Sequence, residues 1–113
     1  MKIVNSSISL AELKQMAQSK FGDLVKAVVD IERGIMAVDA ELHADEEALL
    51  IENGSNQEYL WGINLYPGLK KDEWIEFDSM INLKPRQGTL SRGVGDGGLR
   101  GKIVDLVDKL VNS

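Results

Sequence analysis

The sequence predicts an α+β domain in which an N-terminal helix, four or five mostly antiparallel strands and a C-terminal helix follow one another. Apolar stripes with helical spacing lie near both ends, and segments that alternate apolar and polar residues lie between them. Short turn sequences separate these segments, and consecutive strands joined by short turns pair antiparallel. Two amphipathic helices can cover one sheet face, so we expect two layers with both helices on the same side.

The length and composition are those of an ordinary soluble domain. A chain of 113 residues suits one domain, 1–113, with 43% hydrophobic and 27% charged residues. The absence of cysteine excludes disulfides, thiolate metal sites and thiol catalysis. No apolar run approaches the roughly 18 residues of a membrane span, and the first residues lack the apolar core of a signal peptide. We therefore expect a cytoplasmic protein with no membrane partner.

The charge distribution bears on the partners. The net charge of −5 disfavours nucleic acid, because nucleic-acid binding needs a basic face. Lys and Arg are absent between Gly34 and Leu69, whereas the charged residues from Lys84 to Lys102 are basic except for one aspartate. The acidic middle and the basic later segment are expected to face each other in the fold.

Residues 9–21 carry the signals of the first helix. Ser9 and Glu12 fit the S-x-x-E capping box, which satisfies free N–H groups at a helix start. Gly22 suits the stop, because glycine readily adopts the left-handed conformation that ends many helices. The apolar stripe of this helix consists of Leu10, Leu13, Ala17 and Phe21.

Two alternating segments follow the first helix, and Arg33-Gly34 suits a tight turn between them. We expect the second segment, I-M-A-V-D-A-E-L-H-A-D, to run as one strand to Asp45, with a further short strand at A-L-L-I. A continuous strand would place alternate polar side chains on one surface. These side chains are Asp39, Glu41, His43 and Asp45.

The segment Y-L-W-G-I-N-L-Y predicts another strand after the turn at Asn53-Gly54. Within it Trp61 shares the inner face with Ile63 and Leu65. We therefore expect Trp61 to lie in the core.

The longest predicted strand begins at Trp74, for which a semi-exposed position is expected, and ends before Pro85, which has no N–H for a ladder. Ser79 has the parity of the core-facing residues, so a Ser-His-Asp arrangement with Asp78 is disfavoured. A loop with glycine, hydroxyl groups and arginine follows, and such a loop before a helix can bind an anion. The outer face of the strand carries Glu76, Asp78, Asn82 and Lys84.

The last predicted helix begins after Asp96, which suits the N-cap position. The glycines that follow weaken its first turn, at about 1 kcal/mol each relative to alanine. Its apolar stripe consists of Leu99, Ile103, Leu106, Val107 and Leu110.

The candidate ligand-binding residues gather on one predicted surface, the outer sheet face and the loop at its edge. Arginine side chains suit carboxylates and phosphates, so we expect a ligand with one anionic end and one polar or cationic end. Glu41, His43 and Asp45 could bind a divalent cation, but a zinc site needs three or four good ligands and the chain has one histidine, so a metal site is the weaker alternative and no cofactor is predicted. The candidates are Glu41, His43, Asp45, Asp78, Asn82, Arg86, Gln87 and Arg92.

Three hypotheses for the function stay open. The preferred one is a non-enzymatic binding or regulatory module that uses this polar surface, because no complete catalytic signature is present. The second is a small metal-dependent or acid/base hydrolase that uses His43 with Asp45 or Asp78. The third is a protein-interaction or homodimer module that uses an exposed edge strand.

Three long motifs, E-L-H-A-D-E-E-A-L-L-I-E-N-G-S, L-W-G-I-N-L-Y-P and W-I-E-F-D-S-M-I-N-L-K-P-R-Q-G, carry a resemblance to a known family. The chain resembles a small prokaryotic family known only as a domain of unknown function, from about Ser9 to Val111. The family pattern often has two glycines where Asp39-Ala40 stand here. The resemblance implies a bacterial or archaeal cytoplasmic protein, and it implies no activity, cofactor or catalytic residue.

Overall fold

The computed structural model describes residues 1–112, which form three α-helices and a five-stranded sheet. The helices are α1 (Leu10–Ser19), α2 (His43–Glu52) and α3 (Gly97–Leu110). The sheet strands are β1 (Lys2–Val4), β3 (Val25–Asp30), β4 (Ile35–Val38), β5 (Leu60–Leu65) and β6 (Ile75–Glu76). Their order is β1-β4-β3-β5-β6, and every neighbouring pair is antiparallel. The predicted α+β class is confirmed.

A small parallel pair, β2 (Ile8–Ser9) with β7 (Val111–Asn112), joins the start of α1 to the end of α3. Both helices pack on the same face of the sheet, as predicted, and they enclose the larger core. Within residues 1–112 no helix combines the length and apolarity that a membrane crossing requires.

The first helix begins and ends at its sequence signals. The Ser9 hydroxyl accepts a hydrogen bond from the Glu12 N–H at 3.1 Å. At the other end Gly22 has φ +93° and donates its N–H to the Ala17 carbonyl at 2.6 Å. The Glu12 carboxylate binds Lys2 at 2.8 Å, so it does not close the second half of the capping box.

Replacing Ser9 with alanine should lower the free energy of unfolding by about 1 kcal/mol, because the substitution removes the acceptor for the Glu12 N–H. Urea unfolding followed by circular dichroism measures the change. Ser7→Ala is the matched control, because Ser7 is an exposed serine two residues before the cap. Equal stability of the two variants would contradict the capping role of Ser9.

The tryptophans both lie in the larger core. Trp61 is 4% exposed, so its predicted core position is confirmed. Trp74 is 2% exposed, and the prediction of a semi-exposed side chain was wrong. The chain turns back between Tyr66 and Trp74, which are joined by a backbone hydrogen bond, and this turn carries the indole inward beside Leu10 and Val111.

The helix α2 was not predicted, and it packs on the opposite face of the sheet over a second, smaller core. The predicted strand through Asp45 and the further strand at A-L-L-I were wrong. Strand β4 ends at Val38 because Asp39 has φ +72°, a left-handed conformation that breaks the ladder. The next residues follow helical spacing, and the buried residues of α2 lie three or four positions apart: His43, Glu46 and Leu50.

The longest predicted strand was also mostly wrong. Only Ile75–Glu76 pairs as a strand, and the chain from Asp78 to Arg92 is a loop that contains two 3₁₀ turns, Met80–Asn82 and Pro85–Gln87. This loop lies on the same side of the sheet as α2, where Ile81 joins the smaller core. It therefore forms a second wall opposite the start of α2.

Candidate functional site

A concavity of about 440 Å³, here called the α2 cleft, lies between the start of α2 and the loop after β6. Its floor includes Lys26 of β3 and Asn64 of β5, which are directly paired across the two strands. His43 lines one wall, and Asp78 and Arg92 line the other. Three of the predicted ligand-binding residues therefore converge in one cleft, together with two residues from the sheet.

Large exposed apolar side chains surround the polar floor of the α2 cleft. Phe21, Leu42 and Met80 all line it, and they are 41%, 57% and 62% exposed. Lys26 holds its ammonium 5.4 Å from the centre of the Phe21 ring, which is a cation–π distance. Exposed apolar residues that rim a polar recess are typical of a binding site.

His43 is buried, and its surroundings favour the neutral form of the ring. Its Nε2 lies 2.8 Å from the Ile63 carbonyl oxygen. Because a carbonyl oxygen only accepts, Nε2 must donate, and Nδ1 is then the acceptor of the neutral ring. Burial lowers the pKa of His43, with a smaller contribution from the positive charge of Lys26, while the Ile63 bond and the charge of Asp78 oppose this.

Asp78 and Arg92 form an ion pair across the open side of the α2 cleft. Arg92 Nε donates to Asp78 Oδ1 at 2.7 Å, and the two side chains are 44% and 56% exposed. An exposed pair of this kind contributes about 0–1 kcal/mol to stability. It can therefore be rearranged by a ligand at little cost.

Asn64 presents an acceptor without a partner on the floor. The residue is 7% exposed, and its Nδ2 donates to Glu76 Oε1 at 2.8 Å. This bond fixes the amide orientation, because a carboxylate can only accept. Within residues 1–112 the buried Asn64 Oδ1 has no hydrogen-bond partner. A buried acceptor of this kind is costly unless a donor from a water or a ligand reaches it.

The start of α2 adds free N–H groups to the α2 cleft. Leu42 occupies the N-cap position and makes no side-chain capping bond. The backbone of His43 and Ala44 therefore begins the helix without the usual hydroxyl or carboxylate. Such a helix start attracts anions.

Asn82 is a positioning residue, because it is fully buried and anchors the second wall to β5. Its Oδ1 accepts from the Gly62 N–H at 2.8 Å, and its Nδ2 donates to the Gly62 carbonyl at 3.0 Å. The same Nδ2 donates to the Arg92 carbonyl at 2.8 Å. One side-chain amide thus replaces a neighbouring strand at Gly62 and also holds Arg92 in place.

Gly62 permits this close approach. A Cβ at this position would lie 2.5 Å from the Cβ of Ser79, a distance that real side chains do not reach. Ser79 itself is 1% exposed, and its hydroxyl accepts from the Ile81 N–H at 3.2 Å. The seryl hydroxyl is therefore part of the wall structure.

The remaining predicted site residues lie elsewhere. Glu41 and Asp45 line a separate depression beside Met1. Gln87 donates to the Glu58 carbonyl at 3.1 Å in another depression, and Arg86 is exposed on the Pro85–Gln87 turn. The predicted grouping is therefore divided, because the strand expected over 39–45 is a turn followed by a helix.

Lys26 and Asn64 were not among the predicted site residues. The available signal was the same for both residues: each is a polar side chain between apolar neighbours or glycine in a strand. Their direct pairing depends on the register between β3 and β5. Within the described residues no group of three His, Asp or Glu side chains is placed to hold a metal ion.

The comparisons with known proteins concern nearly the whole chain. Residues 2–110 match the family model described as "Protein of unknown function (DUF5674)". Neither the curated proteins nor the solved structures contain a significant match. The match confirms the resemblance that the motifs indicate, and the chain belongs to the DUF5674 family of proteins of unknown function.

Proposed function

We propose that this protein is a non-enzymatic module that binds a small molecule in the α2 cleft. The observation that carries the proposal is the polar floor of Lys26 and Asn64, recessed beneath the exposed apolar side chains. A volume of about 440 Å³ lies near the lower end of the range for small-molecule sites. The cleft thus suits a small ligand with polar and apolar parts.

The acid/base hydrolase has weaker support from the same geometry. A nucleophile must lie within hydrogen-bond reach of its base, whereas among the described residues the His43 ring bonds only to the Ile63 carbonyl. Asp78 is paired with Arg92, and Asp45 lines a different depression. The bonds of His43 and Asp78 therefore support a ligand-positioning role for both residues.

The test is a fragment screen by two-dimensional ¹H–¹⁵N NMR with acidic, basic, zwitterionic and neutral small molecules. We expect the largest shift changes at Asn64, at residues 42–44 and at residues 78–81. Ala44→Phe should weaken binding of any hit about tenfold or more, because an aromatic ring at this exposed position fills the cleft.

The matched control is Ala48→Phe. Ala48 is also exposed and lies one turn further along α2, but it lines the depression of Glu41 and Asp45. This variant should bind hits as the original chain does. Shift changes confined to other parts of the surface, or equal losses in the two variants, would contradict the proposal.

A further inference from the structure

The chemistry of the α2 cleft identifies a ligand class, and this inference rests on the binding function proposed above. We propose that the ligand is a free α-amino acid with an apolar side chain. Its carboxylate lies at the start of α2 beside Lys26, its ammonium group lies at Asn64, and its side chain lies among the apolar rim residues.

The carboxylate position follows from two positive features that line the cleft. The start of α2 has no side-chain cap, and its first N–H groups belong to His43 and Ala44, which line the cleft. Lys26 lines the same cleft, and among the described residues it is not part of an ion pair. Helix N–H groups together with an ammonium ion hold a carboxylate well.

The ammonium position follows from Asn64. Its Oδ1 is a buried acceptor without a partner in residues 1–112, and a donor group of a ligand in the cleft would satisfy it. Glu76 accepts from the same amide at 2.8 Å, and Asp78 lines the cleft beside it. Among the described residues Glu76 makes no ion pair, so its carboxylate favours a positively charged donor over a hydroxyl group, whereas the charge of Asp78 is largely balanced by Arg92.

The apolar rim completes the match. Phe21, Leu42 and Met80 expose their side chains around the same recess, and methionine adapts its shape to different apolar groups. Burial of an aliphatic or aromatic ligand side chain there contributes about 25 cal/mol per Å² of apolar surface. A ligand with a carboxylate and an amine on one carbon, and an apolar group attached to it, satisfies all three parts of the cleft.

The experiment titrates the protein with L-leucine, L-phenylalanine and L-methionine, with NMR shifts and calorimetry as readouts. Leucinamide removes the carboxylate, 4-methylpentanoate removes the amine, and L-serine removes the apolar side chain. We expect at least one apolar amino acid to bind in the cleft. Each corresponding analogue should bind about tenfold more weakly or not at all.

Two variants separate the local role of the Lys26 ammonium from the effect of removing one positive charge anywhere on the protein. Lys26→Met keeps the apolar stem over Phe21 and removes the ammonium, so it should weaken the amino acid about tenfold and should not weaken leucinamide. Lys70→Met is the matched control, because Lys70 is an exposed lysine outside the cleft.

The outcomes distinguish the two proposals. If 4-methylpentanoate or leucinamide binds as tightly as leucine, the amino-acid inference is overturned while the binding function stands. The same holds if only other fragments, such as inorganic phosphate or a nucleotide, bind in the cleft. If no molecule in either screen binds there, both proposals are wrong.

Discussion

Replacing Asn82 with alanine should lower the free energy of unfolding by about 3–5 kcal/mol, the largest effect we expect from a single substitution near the cleft. The substitution leaves the N–H and the carbonyl of Gly62 without these partners at a buried position. A buried orphaned group costs about 1–3 kcal/mol, and the cavity left by the amide adds to this. Small domains have about 5–15 kcal/mol of total stability, so the variant should unfold at a much lower urea concentration.

The measurement is urea unfolding followed by tryptophan fluorescence, with hydrogen exchange at the Gly62 amide as a local readout. Gln87→Ala is the matched control, because Gln87 is exposed and makes one hydrogen bond in the same loop. The control should change stability by less than about 0.5 kcal/mol. A change below about 1 kcal/mol for Asn82→Ala would show that the amide does not replace a strand partner.

Glu46→Gln should stabilise the protein by about 3–3.5 kcal/mol at pH 7 and leave it unchanged near pH 4. Burial raises the pKa of Glu46 to about 9, against 4.5 as the ordinary value, and the hydrogen bond from the Ala40 N–H opposes this only in part. The folded protein therefore keeps this carboxyl protonated at neutral pH. Glutamine reproduces the neutral form and still offers an oxygen to the Ala40 N–H.

Stability should fall as the pH rises, because Glu46 holds its proton more tightly in the folded chain than in the unfolded chain. Below pH 4.5 the carboxyl is protonated in both states, so its burial has no ionisation cost. As the pH rises from 4.5 to 9, the unfolded chain releases the proton and the folded chain retains it. Stability then falls by about 1.4 kcal/mol per pH unit over that window.

Unfolding curves at several pH values between 4 and 9 measure this loss. The Glu46→Gln curve should be flatter than that of the original chain. Glu41→Gln is the control, because Glu41 is exposed and precedes the same helix. Parallel curves for Glu46→Gln and the original chain would show that the buried carboxyl is ionised in the native protein.

The elements that the sequence predicted correctly carry strong local signals. Ser9 and Gly22 mark the ends of α1, and Asp96 caps α3 through hydrogen bonds to the N–H groups of Gly98 and Leu99. The hairpin between β3 and β4 closes at Gly34, which has φ +69°. In each case one or two neighbouring residues determine the backbone conformation, so a pattern in the sequence is sufficient.

The errors in the strand predictions had a different physical origin. The residues after Val38 alternate over a short window and also satisfy helical spacing, and the left-handed Asp39 decides between the two periods. The chain after β6 alternates well, but a strand requires a partner along its whole length. The Asn82 amide takes the place of that partner at Gly62, and this substitution is a tertiary contact that no local pattern reveals.

The candidate site was predictable only in part for the same reason. His43, Asp78 and Arg92 do line one cleft, but His43 reaches it at the start of a helix and Arg92 through a loop anchored by Asn82. Lys26 and Asn64 enter through strand register, which is determined by long-range pairing. Residue types indicated the chemistry, whereas the positions depended on tertiary structure.

The outer strands of the sheet affect how readily molecules associate through their sheet edges at high protein concentration. β1 has 3 residues and β6 has 2, so each border offers few backbone groups to a strand from a neighbouring molecule. Beyond β6 the Asn82 amide already saturates the Gly62 backbone that would otherwise be open. Short and saturated borders hinder the addition of strands from other molecules, which is how fibrils grow. We therefore expect the native fold to resist amyloid growth by strand addition.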